Sequence, residues 1–510
     1  MKLFVKKPIN QLLEASAESD KTLKRTLGAG SLIALGIGAI IGAGLFVRTA
    51  AAAGGHAGPA VTISFIIAAA GCALAGLCYA EFASMIPIAG SAYTYSYATM
   101  GELIAWIIGW DLVLEYALGA ATVSIAWSQY FNELLQTFFH TTVPYQWSHS
   151  PFQVSDLGVH GIVNLPAILI IFLLSMLLIR GTSESAVVNN IIVIVKVAIV
   201  LLIIGFGWHF INPANHTPYM IPADAGKVKL NTGVIHDYAD ATNHGWLGVL
   251  RGASIVFFAF IGFDAVSTAA QEAKNPKKDM PIGILVSLVI CTILYILFSH
   301  VLTGIAPYKE FLTQGSEASV SYAIKAHMPG YHWLSSFVTI AILAGFSSVM
   351  LVMLMGQTRV FYTMSTDGLV PKVFSNLHPK HRTPYKSQWL FFVFVSLFSG
   401  FVPDSVVGDM VSIGTLFAFV LVCLGIMILR KTDPNLERPF KTPAYMIVCP
   451  LGALICICMI ASEGWENWAR LIVWLIIGFV VYFGYGIKHS NVRKGVTNNS
   501  DTPHNPKYVD

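Results

Sequence analysis

The chain has 510 residues, of which 55% are hydrophobic and only 11% charged, and its formal net charge is +4. Soluble domains carry about 25% charged residues, and a mean hydropathy of +0.66 is too high for a soluble globular protein. The composition predicts an all-α polytopic membrane protein, and we expect a lipid bilayer, not nucleic acid, as its partner.

Twelve segments are candidates to span a bilayer, which takes a helix of about 20 mostly apolar residues; the ninth of them is shorter than that. They are predicted at 31–53, 59–85, 102–128, 162–180, 186–210, 246–270, 281–305, 333–362, 388–402, 406–429, 444–462 and 467–487. The segment 87–97, between the second and third spans, is too polar to cross and is predicted to form a short re-entrant or interfacial helix.

Lysine and arginine are concentrated in alternate loops, and basic residues accumulate on the cytoplasmic side of membrane proteins. Basic clusters follow span six, precede span nine and follow span ten, and both termini are basic. By contrast, 140–161 has no Lys or Arg, and the long loop 212–244 has only Lys227 and Lys229. We predict a cell-membrane protein with both termini in the cytoplasm.

The first span contains Gly36, Gly38, Gly42 and Gly44 within an otherwise apolar run. Each glycine in a helix interior costs roughly 1 kcal/mol relative to alanine, which favours a helix that opens near Gly42 and Gly44. Unpaired backbone groups at membrane depth are tolerated where they line a cavity. The alternative is that these glycines only allow close packing of helices.

Span six has a similar interruption, at Gly262 and Asp264. Five spans separate the two interruptions, and an odd number reverses orientation, so the first five helices and the next five are related as an inverted repeat. Paired interrupted helices in two halves indicate a transporter binding site near the membrane midplane. The predicted organisation is an amino-terminal segment 1–30, repeats 31–210 and 246–429, two further spans in 444–487 and a tail 488–510.

Eight motifs resemble the cationic amino acid transporter family of the amino acid–polyamine–organocation superfamily. The two that cover the interruptions read LGIGAIIGAG at 35–44 and FIGFDAVSTAA at 260–270. The others lie at 78–84, 90–97, 106–116, 275–283, 356–359 and 367–371. The resemblance implies a leucine-transporter-type fold of twelve helices, with a five-plus-five inverted repeat and discontinuous helices 1 and 6. It also implies secondary transport of amino acids, which bacterial members commonly drive with protons.

The interrupted helices supply both kinds of group that a zwitterion requires. The half-helix after Gly42 presents free N–H groups and the positive end of its dipole, and the left-over carbonyls are acceptors. The resemblance implies that the substrate carboxylate binds the amides of Ala43 and Gly44. It places the substrate ammonium at the carbonyls of Ile40, Phe258, Ala259 and Ile261. Many relatives have Ser or Thr at the position of Ala43, so here the amides act without a hydroxyl.

Lys196 is the one charge in a run of branched aliphatic residues on span five, roughly 24 Å from Arg180 by helical rise. Charge at that depth costs at least about 2.5–3.5 kcal/mol, so such residues face the bundle and are functional by default. An amine that opens alternately to either side can carry a proton, and some bacterial relatives have a lysine at the place of a sodium site. We predict Lys196 as the proton-coupling residue; the alternative is a lysine that snorkels to the interface.

Two acidic residues, Asp111 and Glu115, share one face of span three because they are four residues apart. Glu115 resembles the family's span-three glutamate and is predicted to bind substrate. It would either contact a cationic side chain or act as a hydrogen-bonded structural acid. Asp264 is expected to stabilise the second broken helix or to couple to proton movement.

Further residues are predicted to shape the site. Phe258 and Phe260 flank the second interruption and are candidate gates, although core phenylalanines are common in such a chain. Met353 on span eight resembles a position that limits side-chain space in relatives, and it would favour small neutral substrates unless it only fills the core. Arg48 is expected to face the extracellular vestibule and to repel cationic substrates.

These features predict a monomeric, proton-coupled transporter that moves cationic or small neutral amino acids inward by alternating access. Exchange and sodium coupling stay open as alternatives, as does a small single-span accessory subunit. The sequence contains neither a nucleophile–base pair for an enzyme nor a ring of selectivity groups for a channel. All seven cysteines lie in apolar segments, which predicts reduced thiols, and we expect no metal site and no cofactor besides the proton.

Overall fold

The computed structural model describes residues 3–8, 27–86, 90–155, 157–180, 185–230, 234–270, 273–313, 319–379, 381 and 383–494. These residues are almost entirely helical. The strands among them are β1 (Lys227–Lys229) and β2 (Ile235–Asp237), an antiparallel pair in which Lys227 faces Asp237. Residues 87–89, which begin the predicted re-entrant helix, lie outside the described part.

The described residues form α-helices, 3₁₀ turns and π-helical stretches. The α-helices are α1 (Ala29–Ile40), α2 (Thr49–Ala52), α3 (Val61–Met85), α4 (Ser91–Thr99), α5 (Glu102–Val113), α6 (Gly119–Phe139), α7 (Tyr145–Ser148), α8 (Leu165–Arg180), α9 (Ser185–Gly207), α10 (Gly245–Phe257), α11 (Ala265–Thr268), α12 (Pro276–Ile305), α13 (Glu310–Thr313), α14 (Ser319–His327), α15 (His332–Thr366), α16 (Tyr385–Phe401), α17 (Asp404–Thr432), α18 (Tyr445–Ala461), α19 (Trp465–Val481) and α20 (Ile487–His489). The π-helical stretches are Gly44–Arg48, Ala53–Ala57, Leu114–Leu118 and Tyr482–Gly486.

Several of these helices are suited to a membrane. Eight helical stretches in the described part are long and apolar enough to cross one, and the shorter apolar helices α1, α8 and α18 accompany them. Large apolar side chains are exposed on outward faces, as at Ile191, Ile194 and Leu201 of α9, which is typical of helices in contact with lipid. The chain is therefore an all-helical, multi-pass membrane protein.

The helix α4 covers most of the segment predicted to be re-entrant or interfacial. All nine of its residues are buried, so the helix is packed inside the protein and does not lie on its surface. Two of its polar side chains have internal partners: Tyr93 donates to Asp367 and Tyr97 donates to Glu102, each at 2.8 Å. The hydroxyls of these two tyrosines therefore form hydrogen bonds within the protein.

At one end of the bundle, described residues near both ends of the chain contact the helices. The Glu102 amide donates to the Val5 carbonyl at 2.9 Å, so the extended residues 3–8 lie across the start of α5. Lys7 forms an ion pair of 2.7 Å with Asp367, and Arg493 pairs with Glu102 at 2.5 Å. Residues 3–8 and the residues around Arg493 therefore lie at the same end of the bundle.

At the opposite end, the loop 211–244 that contains β1 and β2 packs onto the helical residues that follow Gly44. Tyr238 donates its hydroxyl to the Gly54 carbonyl at 2.7 Å, and His236 lies 2.8 Å from the Gly55 carbonyl. These bonds tie the loop to the helical stretch that leads out of the first interruption.

Candidate functional site

The first interruption separates α1 from the helical residues that begin at Gly44. The helix α1 ends at Ile40, and Ile41 is extended, with φ −73° and ψ 107°. The amides of Ala43 and Gly44 therefore stand at the start of a new half-helix, whose first N–H groups have no helical partner. A Cβ at Gly44 would collide with the backbone of Ala259. The glycines therefore have two effects: they allow the helix to open, and they allow the two interrupted helices to pack closely.

The second interruption lies directly against the first. A 3₁₀ turn, Phe258–Phe260, follows α10, and Ile261 is extended, with φ −59° and ψ 135°. Gly262 adopts a φ of +111°, which side-chain-bearing residues rarely adopt. A Cβ there would lie 3.0 Å from the Cβ and the carbonyl oxygen of Ala39. The helix resumes at α11, with Asp264 immediately before it, so both predicted interruptions are present.

Lys196 lies against the first interruption. Its ammonium donates to the carbonyl oxygens of Gly38, at 2.7 Å, and Ile41, at 2.8 Å. The residue is 1% exposed, and a Cβ at Gly345 of α15 would lie 3.2 Å from its methylene groups. The side chain therefore does not snorkel to an interface. It caps carbonyls where the helical hydrogen bonding of α1 ends.

Tyr295 of α12 joins the two interruptions, although it was not among the predicted site residues. Its hydroxyl lies 2.9 Å from both the Ile40 and the Ala259 carbonyl oxygens, to which it donates. These are two of the carbonyls predicted to receive the substrate ammonium. The sequence does contain a signal for this residue: it is a tyrosine within an apolar span. A buried tyrosine hydroxyl usually has a hydrogen-bond partner, so such a tyrosine indicates a polar contact inside the bundle.

Acidic side chains are buried beside the second interruption. Tyr116 donates to Asp264 at 2.5 Å, and Glu115 lies beside the same aspartate. Within the described residues, the carboxylates of Asp111 and Glu115 and the amide group of Gln357 have no hydrogen-bond partner. Buried polar groups are normally hydrogen-bonded. The protein interior is therefore polar at each of these three side chains.

The residues predicted to gate or limit the site take different positions. Phe258 lies beneath Arg48, with the guanidinium 5.5 Å from the ring centroid. Phe260 is fully buried, in aromatic contact with α3 and α12. Met353 is buried with its sulfur against α6, where a Cβ at Gly119 would lie 2.9 Å from it. Phe258 thus has a charged neighbour, whereas Phe260 and Met353 pack between helices.

Arg48 corrects one expectation, because it does not face a vestibule as a free charge. The residue is 5% exposed, and its guanidinium donates to the Asp404 carbonyl at 2.9 Å. It also lies 3.8 Å from the Asp404 carboxylate and 3.9 Å from that of Asp409. A charge at this depth requires such partners, and they come from the distant helix α17. Since the two carboxylates offset its charge, Arg48 gives no argument against cationic substrates.

Comparison with known proteins finds membrane transporters. Residues 27–482 match the family model described as amino acid permease. The branched-chain amino acid permease BcaP of Bacillus subtilis (strain 168) is 44% identical over 493 residues, covering 96% of this chain and 99% of that protein. The methylthioribose transporter of the same organism is 40% identical over 492 residues, with the same coverage. The vacuolar cationic amino acid transporter 4 of Arabidopsis thaliana is 34% identical over 420 residues, covering 81% of this chain and 64% of that protein.

Proposed function

Because the chain belongs to the amino acid permease family, we propose that it is a secondary active transporter that carries amino acids into the cell together with protons. The relatives that align with it over almost their whole length are transporters. The observation that carries the proposal is the contact between the interrupted helices, at Gly44 and Ala259. This contact gathers the exposed backbone groups of both helices at one place deep in the bundle.

The proposed architecture has twelve spans, a leucine-transporter-type inverted repeat of 31–210 and 246–429, and both termini in the cytoplasm. In support, the basic segments contact one another. Lys277 pairs with Glu437 at 3.1 Å, and Lys7 pairs with Asp367 just before the basic loop that precedes α16. Basic segments that share one end of a bundle are typical of the cytoplasmic side.

In the proposed binding mode, the substrate carboxylate binds the amides of Ala43 and Gly44. The ammonium binds carbonyls of the second interruption and that of Ile40, to which the Tyr295 hydroxyl also donates. A neutral hydrogen bond contributes about 0.5–1.5 kcal/mol and one to a charged group about 1.5–3 kcal/mol. The ammonium can therefore displace the hydroxyl or share the carbonyls with it.

Neutral aliphatic amino acids are the proposed substrate class. The relative at 44% identity is named for branched-chain amino acids, and the bulk of Met353 would restrict the space for a side chain. Cationic amino acids are the second candidate, because the buried carboxylate of Glu115 could hold a cationic side chain. Competition of labelled leucine uptake by all common amino acids, with methylthioribose included, distinguishes the two. If lysine and arginine were the only amino acids that inhibited leucine uptake, the proposal of neutral aliphatic substrates would be wrong.

Lys196 is the proposed proton carrier. Loss of its proton would remove the positive charge that holds the Gly38 and Ile41 carbonyls, so the charge on the amine and the geometry of the first interruption are linked. In proteoliposomes, an inward proton gradient should drive leucine accumulation. Lys196→Met should abolish this accumulation but retain leucine counterflow, which needs no net proton movement. The exposed Lys277→Met is the matched control and should behave as wild type.

The same assay tests the alternatives. If Lys196→Met were still driven by the proton gradient, the assignment of the proton to Lys196 would be wrong. Accumulation that follows a sodium gradient would establish sodium coupling instead. Counterflow without accumulation under either gradient would establish an exchanger.

A further inference from the structure

A second cavity lies away from the interrupted helices, at the end of the bundle that carries the loop 211–244. Its volume is about 750 Å³, and it is bounded by α10, α17 and the turn between α18 and α19. None of the residues predicted to bind substrate or proton lines this cavity. It is therefore distinct from the proposed transport site.

The floor of this outer cavity is a network of one buried and two partly buried charges that pair with one another. Arg251 pairs with Asp409 at 3.0 Å and with Glu463 on its other side. Asn467 donates to the same two carboxylates, at 3.1 Å and 2.7 Å. Because α10, α17, α19 and the turn before it each supply a member, the network holds the floor in one arrangement without a ligand.

The accessible charges of the outer cavity come from α19. Arg470 and Glu466 are one turn apart, with a nitrogen–oxygen distance of 3.3 Å, and their side chains are 29% and 71% exposed. Asn467 accepts a hydrogen bond from Arg470 at 2.5 Å, which positions the guanidinium over the floor. An exposed ion pair contributes about 0–1 kcal/mol. A ligand can therefore replace either partner of this pair at little cost.

We propose that the outer cavity binds a small zwitterion, with its anionic group at Arg470 and its ammonium at Glu466. The lining carries both signs of charge, in Arg251, Arg470, Asp409, Glu463 and Glu466. A ligand with only one sign would meet repulsion from part of this lining. A ligand with both signs is complemented at both ends.

Two sources supply this chemistry: the phosphoethanolamine headgroup of a membrane lipid and a free amino acid. The rim contains Trp465 and Leu247, whose side chains are 79% and 54% exposed. Tryptophan is enriched at the membrane–water interface, so the cavity opens at the level of lipid headgroups. Asp409 of the floor also lies 3.9 Å from Arg48, which covers Phe258. A bound zwitterion would therefore lie near the contact between Arg48 and Phe258, a residue of the proposed transport site.

The native Cys458 allows a direct test. It lines the outer cavity and is exposed, whereas the other six cysteines are buried. The rate at which a water-soluble maleimide labels Cys458 is measured on the purified full-length protein, with phosphoethanolamine or L-leucine added. Bound ligand should slow labelling by the factor 1 + [L]/Kd, about tenfold at nine times Kd. In a lipid arm, nanodiscs with phosphatidylethanolamine are compared with nanodiscs of phosphatidylglycerol alone.

A double variant, Arg470→Gln with Glu466→Gln, should lose the protection. The matched control is Lys277→Gln with Glu437→Gln, an exposed pair of 3.1 Å at the other end of the bundle, which should keep it. If phosphoethanolamine and phosphatidylethanolamine slow the labelling of Cys458, the ligand is a lipid headgroup. If leucine slows it, the ligand is a free amino acid. Either result supports a zwitterion site. Equal labelling rates in every arm, or protection that persists in the double variant, would overturn the proposal. The arms on the unmodified protein are decisive even if the double variant folds poorly.

Discussion

Removal of one hydroxyl, in Tyr295→Phe, tests how the two interruptions are held together. This hydroxyl donates to the carbonyls of Ile40 and Ala259, and both residues are at most 2% exposed. A buried polar group left without its partner costs about 1–3 kcal/mol. Because one hydroxyl proton is shared between the two carbonyls, we expect the variant to lose about 1–3 kcal/mol of folding free energy in total, and not twice that. The variant should unfold at a lower temperature than wild type, measured on purified protein without substrate.

Binding of substrate should respond in the opposite direction. In Tyr295→Phe the substrate ammonium can satisfy carbonyls that have lost their donor. The Kd for leucine should therefore fall about fivefold or more, the factor equivalent to 1 kcal/mol. The matched control is Tyr79→Phe, because Tyr79 is equally buried but its hydroxyl has no hydrogen-bond partner among the described residues. If the Tyr295 variant unfolded and bound leucine as wild type does, the hydroxyl would not be satisfying these carbonyls.

Three further changes test the structure elsewhere. Gly44→Ala forces a Cβ into the neighbouring helix and should abolish leucine uptake, whereas Gly30→Ala, with open space around it, should not. Lys7→Gln removes the largely buried ion pair with Asp367 and should lower the unfolding temperature. An unchanged unfolding temperature would show that Lys7 and Asp367 do not pair in solution. Partial burial lowers the pKa of His216 from its ordinary value of 6.5. Stability should therefore fall as the pH drops below about 6.5, and His216→Gln should flatten that profile of unfolding temperature against pH.

Much of the fold follows from local properties of the sequence. Runs of apolar residues predicted spans such as 333–362, where α15 occupies His332–Thr366. Glycines predicted the opening near Gly42 and Gly44, and one glycine with Asp264 predicted the second interruption, because the cost of glycine in a helix is local. Local polarity indicated that the segment containing α4 does not span the membrane, but it did not distinguish a helix packed inside the protein from one at its surface. Tyr93 of this helix donates to Asp367, 274 residues away, and a local measure of polarity does not register such a contact.

The candidate site could be predicted only in part. The sequence predicted that Lys196 is functional, because a charge in an apolar span is locally anomalous. The carbonyls of Gly38 and Ile41 that it contacts lie 158 and 155 residues away. Tyr295 was not predicted because its hydroxyl donates to carbonyls of two other segments, Ile40 and Ala259, which are distant in the sequence.

The amino-acid sequence by itself determined that this chain lies in a membrane and that its helices open near Gly44 and near Gly262, since hydropathy and glycine content act within one or two helical turns. Only the tertiary structure decided which side chains meet at those openings. Arg48 looked like a free cation in the sequence, and α17, more than 350 residues further on, supplies the carboxylates that offset its charge. The identity of a neighbour depends on how helices pack, and packing joins residues that no local pattern connects.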